Sequence, residues 1–158
     1  MNRCVASIMR CIRPRFQLGL GRIVTRALNV VPFGSRGRER LQLRQLTGHL
    51  QVVWQARALH PWDRDLPSAR RSELFSEQTI ADTDIVVAKL FRLLPEIDTI
   101  SIQVRTPEVD GSVIMAGTIS RATAAASSQV VSARMRLKMM GIRDQMRDNQ
   151  LHPFSKSS

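Results

Sequence analysis

Apolar residues recur at every second position in some stretches of this chain and at helical spacing in others, and the alternation between the two periods predicts its elements. From His49 the period is two: Leu50, Val52, Trp54, Ala56 and Ala58 alternate with His49, Gln51, Val53, Gln55 and Arg57, the pattern of a half-buried strand. A helix over Leu41–Leu59 competes, because Leu43, Leu46, Leu50, Val53 and Trp54 also share a helical face. The strand is the reading adopted. His60 to Pro67 holds two prolines and no period, which makes it a loop. Ser68 is then placed to cap a helix whose apolar positions are Phe75, Ile80, Val86, Val87, Leu90, Phe91, Leu93 and Leu94, with Pro95 as its stop. Within it, Asp82-Thr83-Asp84 predicts a cap or kink, since short polar side chains compete for backbone hydrogen bonds.

Ile97 to Arg105 alternates again, with Ile100, Ile102 and Val104 inward. The turn Thr106 to Gly111 contains Asp-Gly, a hairpin signal, and Ser112 to Ser120 returns as the partner strand. A last helix carries Ala122, Ala126, Val130, Ala133, Leu137 and Met140 on one stripe and ends at Gly141, in the left-handed position expected after a helix. Ile142 to Met146 reads as a short final strand and 148–158 as a loose tail.

That order predicts an α+β domain over residues 49–147: a small ferredoxin-like, split β-α-β antiparallel sheet with two helices on one face. The other face then shows His49, Gln51, Gln55, Arg57, Thr99, Ser101, Gln103, Arg105, Ser112 and Thr118. It has no aromatic ring, which disfavours readers of single-stranded RNA that stack bases on such sheets.

Residues 1–48 follow a different pattern, a basic amphipathic arm and connector outside the core. Cys4, Val5, Ile8, Cys11 and Ile12 share one helical face opposite Arg3 and Arg10 until Pro14 breaks the run. Beyond it Arg15, Arg22 and Arg26 cluster, while Phe16, Leu20, Ile23, Val24, Leu28 and their neighbours fill the opposite side. Gly19 and Gly21 each cost about 1 kcal/mol of helix stability, so this helix needs a surface to form on. Gly34 to Gly48, with four arginines and one acid, reads as a solvated connector.

Charge sharpens that division. Of the chain's net +11, residues 1–62 supply +10, with Glu39 as their single acid, and the rest is nearly balanced. A concentration of cations at one end suits an anionic surface. Arg outnumbers Lys 21 to 3, a bias that a GC-rich coding sequence also produces, although codon usage does not remove acids. The two cysteines are too few for a disulfide framework and fit a reducing, cytoplasmic setting. Stretches free of charged residues reach 12 residues, short of a membrane span, and Arg10 and Arg13 interrupt a secretory signal. An Arg-rich, acid-free, amphipathic start also matches an organelle-targeting sequence, and a misassigned start codon is a further explanation.

Three groups of side chains have chemistry to offer. His60, Asp63 and Asp65 form a compact acid, base and metal-ligand cluster, equally well explained as a turn whose aspartates bond local amides while Trp62 covers the sheet edge. Glu77, Asp82 and Asp84 supply carboxylates, but Asp82 and Asp84 point about 200° apart on a helix and read as a solvated face. Arg134, Lys138, Arg143 and Arg147, with Arg136, make a second basic region suited to phosphate. Cys4 and Cys11 sit two helical turns apart, too far for a disulfide, and no glycine-rich phosphate loop or zinc-binding spacing occurs, so neither a cofactor nor a metal is expected.

The expectation is therefore a non-enzymatic interaction module, tethered by its arm to an anionic membrane or protein surface. A nucleic-acid (RNA) binder using the arm and the basic last helix is the alternative, and a small enzyme or metal site at His60–Asp65 the third. No small-molecule substrate is identifiable.

Overall fold

The computed structural model describes residues 41–108 and 111–155. The arm, including Arg3, Arg10, Arg15, Phe16, Leu20, Arg22, Ile23, Val24, Arg26 and Leu28, lies outside the described residues, as do Asp110 of the predicted turn and the last three residues of the tail.

The domain is α+β. Strands β1 (Leu41–Leu46) and β2 (His49–Gln55) form a hairpin through Thr47-Gly48, with Gly48 at φ +68°, where a side chain is disfavoured. Helix α1 (Ser68–Leu93) then leads to β3 (Thr99–Arg105), which pairs with β2 in parallel, Leu50 opposite Ile100 and Val52 opposite Ile102. Strand β4 (Val113–Ser120) returns antiparallel to β3. Two short helices follow, α2 (Arg121–Ser127) and α3 (Ala133–Met139), and β5 (Arg143–Arg147) adds to β4 antiparallel, continuing into a hairpin with β6 (Gln150–His152). The sheet is mixed, and its strand order follows the chain.

The predicted alternation is present on β2 and β3, although β2 ends at Gln55 and Ala58, expected inward, is exposed beyond it. Leu50, Val52 and Trp54 on β2 and Ile100, Ile102 and Val104 on β3 are buried, and together with Ile80, Val86, Val87, Leu90 and Phe91 of α1 they form one core. Leu137 of α3 joins that core, as do the flanking Leu94, Met140 and Ile142, with Ala124 of α2 packed against it, so the three helices serve a single sheet face.

Several expectations are corrected. The split β-α-β order requires another strand between the two that α1 connects, but β2 and β3 are direct hydrogen-bonded neighbours, so the unit is closed and the sheet is mixed. Leu41–Leu46, assigned to the connector, is an edge strand, and no helix spans 41–59. The last helix is two, because Ser128 to Ser132 leaves the helical path; Ala122 and Ala126 are exposed as a result, while Ser120 and Ser132 cap the separate segments. Gly141 does stand at φ +93° after α3.

Helix α1 starts at Ser68 with Pro67 as cap, so Ser68 caps nothing, and it runs unbroken through Asp82-Thr83-Asp84. Thr83 satisfies its hydroxyl locally by donating to the Thr79 carbonyl at 2.7 Å, and both aspartates turn away to arginines from other elements. Leu93 faces outward. A bulge opposite Val104 and Arg105 leaves Ile114 between Met115 and Val113, which buries Ile114 and Met115 in succession. The tail is partly anchored: Leu151 donates its N–H to the buried Ser76 hydroxyl at 2.9 Å, and Phe154 to the Val113 carbonyl at 2.9 Å. No helix among the described residues is long and apolar enough to cross a membrane.

Candidate functional site

The core holds the helices to one side of the sheet, so the outward strand positions compose a second surface. On β2 these are His49, Gln51, Val53 and Gln55, and on β3 Thr99, Ser101, Gln103 and Arg105. Register carries the face across the sheet: Arg44 stands opposite Gln51, Thr118 opposite Ser101, Ala116 opposite Gln103, and Arg143 opposite Ala116. On β5 the inward Met146 packs on the core and Asp144 reaches Arg134, which leaves Arg143, Gln145 and Arg147 outward. Among the described residues, not one outward strand position holds Asp or Glu. The carboxylates of the described residues belong to α1, to the loops and turns, or, for Asp144, to the inward side of β5.

Within this face Ser101 and Thr118 share a hydrogen bond at 2.8 Å, and the Gln55 amide donates to the Glu108 carbonyl. Arg105 is half-buried, with its Nε enclosed and no acceptor among the described residues. Two residues expected here are elsewhere. Arg57 bends to the helix side to pair with Asp82, and Ser112 precedes β4 in the turn.

The second basic region is divided by the fold. Arg134 is spent on Asp144 at 3.5 Å, Lys138 is exposed on α3, and Arg143 and Arg147 lie exposed on the sheet. Arg136 grips Asp84 with two nitrogens, Nε at 3.0 Å and Nη2 at 2.6 Å, and donates through Nη1 to the Val130 and Val131 carbonyls. Asp84 thereby holds the Arg136 guanidinium above its usual pKa. Of these five residues only Arg143 and Arg147 share a face, so the region as a whole forms no common patch.

The His60–Asp65 loop is a 3₁₀ turn over Pro61–Asp65. The His60 Nδ1 accepts the backbone N–H of Trp62 at 3.3 Å and the two rings meet edge to face, so the imidazole caps the turn. Trp62 is 86 % exposed and covers no sheet edge. No trio of His, Cys, Asp or Glu converges as a metal site among the described residues.

On the helix side a groove of about 410 Å³ opens between α1, α2 and α3, floored by Val87, Phe91 and Met140. Arg92, Arg121 and Arg136 line it, but two of these are committed: Arg136 as above, and Arg121 to the carbonyls of Phe91, Leu94 and Ile97. Sequence reasoning did not single out Arg121, because a residue that caps another helix's end carries no local signal.

No protein-family model matches the chain, and neither a curated protein nor a solved structure matches it.

Proposed function

We propose that the chain is a non-enzymatic interaction module, an α+β body held at an anionic membrane or protein surface by its basic amphipathic start. The observation that carries this reading is the charge division along the sequence: net +10 in residues 1–62 against near balance beyond. Arginines and apolar residues segregate to opposite sides of the second amphipathic segment, which suits an interfacial helix whose apolar side enters the headgroup region while its cations meet anionic lipid. Six arginines within residues 1–33 provide an attraction of about 6 kcal/mol at most, taking about 1 kcal/mol for each near such a surface. The His60 loop supports an enzyme less well, since its imidazole is used as a cap and Asp63 and Asp65 are half-buried and exposed respectively.

The test is binding of the full chain to vesicles with and without anionic lipid. Binding should need the anionic lipid, should survive in part at high salt, and should be lost in Leu20→Asp although every arginine remains. Equal binding of Leu20→Asp, released by salt alone, would remove the interfacial reading.

A further inference from the structure

The outward sheet face has a separate use from the arm, and we infer that it binds the sugar–phosphate backbone of double-stranded RNA. Charge complementarity carries the assignment. Arg44, Arg105, Arg143 and Arg147 lie on strands whose outward positions include no carboxylate, while the domain's acids occupy helix, turn and inward positions. This face is therefore positive even though residues 63–158 together are nearly neutral.

The residues between the arginines narrow the partner. Gln51 and Gln103 offer amides, and Ser101 and Thr118 hydroxyls, on the same face. Such groups, with arginine, are what proteins use on phosphate oxygens and sugars. An insertion into lipid would need a cluster of large apolar side chains, whereas the outward register positions of β1 to β5 hold only Leu46, at the end of β1 opposite His49, with Val53, Val113 and Ala116. Stacking on single-stranded bases would need rings, and the face has none beyond two histidines at its margins, His49 and His152. What remains is contact with a backbone as a shape. A-form RNA presents a wide, shallow minor groove lined by 2′-hydroxyls, which are both donors and acceptors and match the amides of glutamine.

The spacing fits several contacts at once. Arg105 and Arg143 are two strands apart and two residues apart in register, about 12 Å between their backbone positions for strands about 4.8 Å apart. One duplex lying across the sheet then meets both, and the enclosed Arg105 Nε has no acceptor among the described residues, which leaves that guanidinium uncommitted to any carboxylate among them.

The experiment uses the full chain and an RNA duplex of mixed sequence, with affinity measured from 50 to 200 mM salt. Arg105→Gln and Arg143→Gln should each weaken binding several-fold and lower the log–log salt slope by about 1, while Arg71→Gln on α1 leaves both unchanged. Gln103→Ala should weaken RNA binding without altering the slope, and a DNA duplex of the same sequence should bind several-fold more weakly. Thermal unfolding of each variant confirms that the fold is kept, and Arg143→Glu, at an exposed position, provides a stronger perturbation should the glutamine variants be mild. The inference is overturned if the sheet variants bind RNA like the parent, if removing the arm cations alone abolishes RNA binding, if DNA binds equally, or if the sheet variants lose anionic vesicles instead of RNA. Because the vesicle test turns on Leu20 and this one on Arg105 and Arg143, failure of either reading is distinguishable from failure of the other.

Discussion

Arg136 and Asp84 stand 52 positions apart in sequence and meet fork to fork, Nε on Oδ1 at 3.0 Å and Nη2 on Oδ2 at 2.6 Å. The pair joins the middle of α1 to α3, and the third guanidinium nitrogen holds the chain between α2 and α3 through the Val130 and Val131 carbonyls. One side chain thus compensates for the absence of a continuous helix. Arg136→Ala should cost about 2–3 kcal/mol, in the range of hydrogen bonds to charged groups. Arg136→Lys should recover little, since an ammonium cannot reproduce a planar fork. Urea unfolding of both variants with Asp84→Ala, and of the double variant, should give costs well short of additive; additive costs would mean that the two residues act independently.

Arg121 does comparable work at the end of α1. Its guanidinium donates to the carbonyls of Phe91, Leu94 and Ile97 at 2.8, 2.7 and 2.6 Å and lies 5.0 Å over the Phe91 ring. The terminal carbonyls of a helix lack partners inside it and form the negative end of its dipole. Arg121→Ala should therefore lower stability by about 2–3 kcal/mol, and Arg121→Lys by somewhat less. A neutral effect in either measurement would show that water replaces the guanidinium without cost.

How much of this was legible in the sequence depends on whether the signal is local. Leu50-Val52-Trp54 and Ile100-Ile102-Val104 announce their strands because one-sided burial imposes a period of two, and Gly141 announces a helix end because its backbone excludes most side chains. The ion pairs of Asp82 and Asp84 are not local. The same polar triplet that predicts a kink is compatible with a straight helix once Arg57 and Arg136 arrive from distant elements. Asp148-Asn149 carries a local signal as well: both residue types tolerate positive φ, here 48° and 60°, and make the tight turn between β5 and β6. The strand order could not be obtained from periodicity, because closed and split β-α-β units present the same succession of elements.

The position of β1 changes where the chain tolerates shortening. Every residue of β1 pairs with β2, from Leu41 opposite Trp54 to Leu46 opposite His49. A chain beginning at residue 41 should unfold cooperatively, with a midpoint near that of the full chain. One beginning at residue 49 should lose stability and gain a tendency to associate, since β2 becomes an exposed edge. Denaturant unfolding and sedimentation of the two shortened chains decide the matter, and identical behaviour would show that β1 contributes nothing to the body.

Gly117 sets the approach of β5 to β4. A Cβ placed there would stand 2.5 Å from the Gly141 carbonyl oxygen and 2.8 Å from the Ile142 Cα, both backbone atoms that cannot swing aside. The pairing it would disturb is short, Met115 with Asp144 and Ala116 with Arg143. Gly117→Ala should cost about 1–3 kcal/mol, the range for overpacking. Amide exchange should accelerate most in β5 and β6 while β2 and β3 keep their protection. Uniform acceleration would instead indicate that the sheet yields as a whole.

Asp82 is 4 % exposed, and Arg57 reaches it with Nε at 2.7 Å and Nη2 at 3.4 Å. Burial pushes the Asp82 carboxyl pKa up, while the Arg57 hydrogen bond and charge pull it down; burial is the larger effect, so the carboxyl stays above its ordinary value. The folded chain then holds the proton more tightly than the unfolded chain, whose Asp titrates near 3.9. This contribution to stability is complete below the unfolded value and is lost as pH rises through the higher folded one, after which it is constant. Asp82→Asn removes the titration. Subtracting the variant's unfolding free energy from that of the parent at each pH should accordingly give a difference most favourable to the parent in acid, falling as pH rises and then levelling. Arg57→Ala should move the fall to higher pH, because the groups that oppose burial are gone. A difference that rises with pH would mean that Arg57 outweighs burial at this position, and the carboxyl would then belong among the ordinary paired aspartates that stabilise proteins at neutral pH.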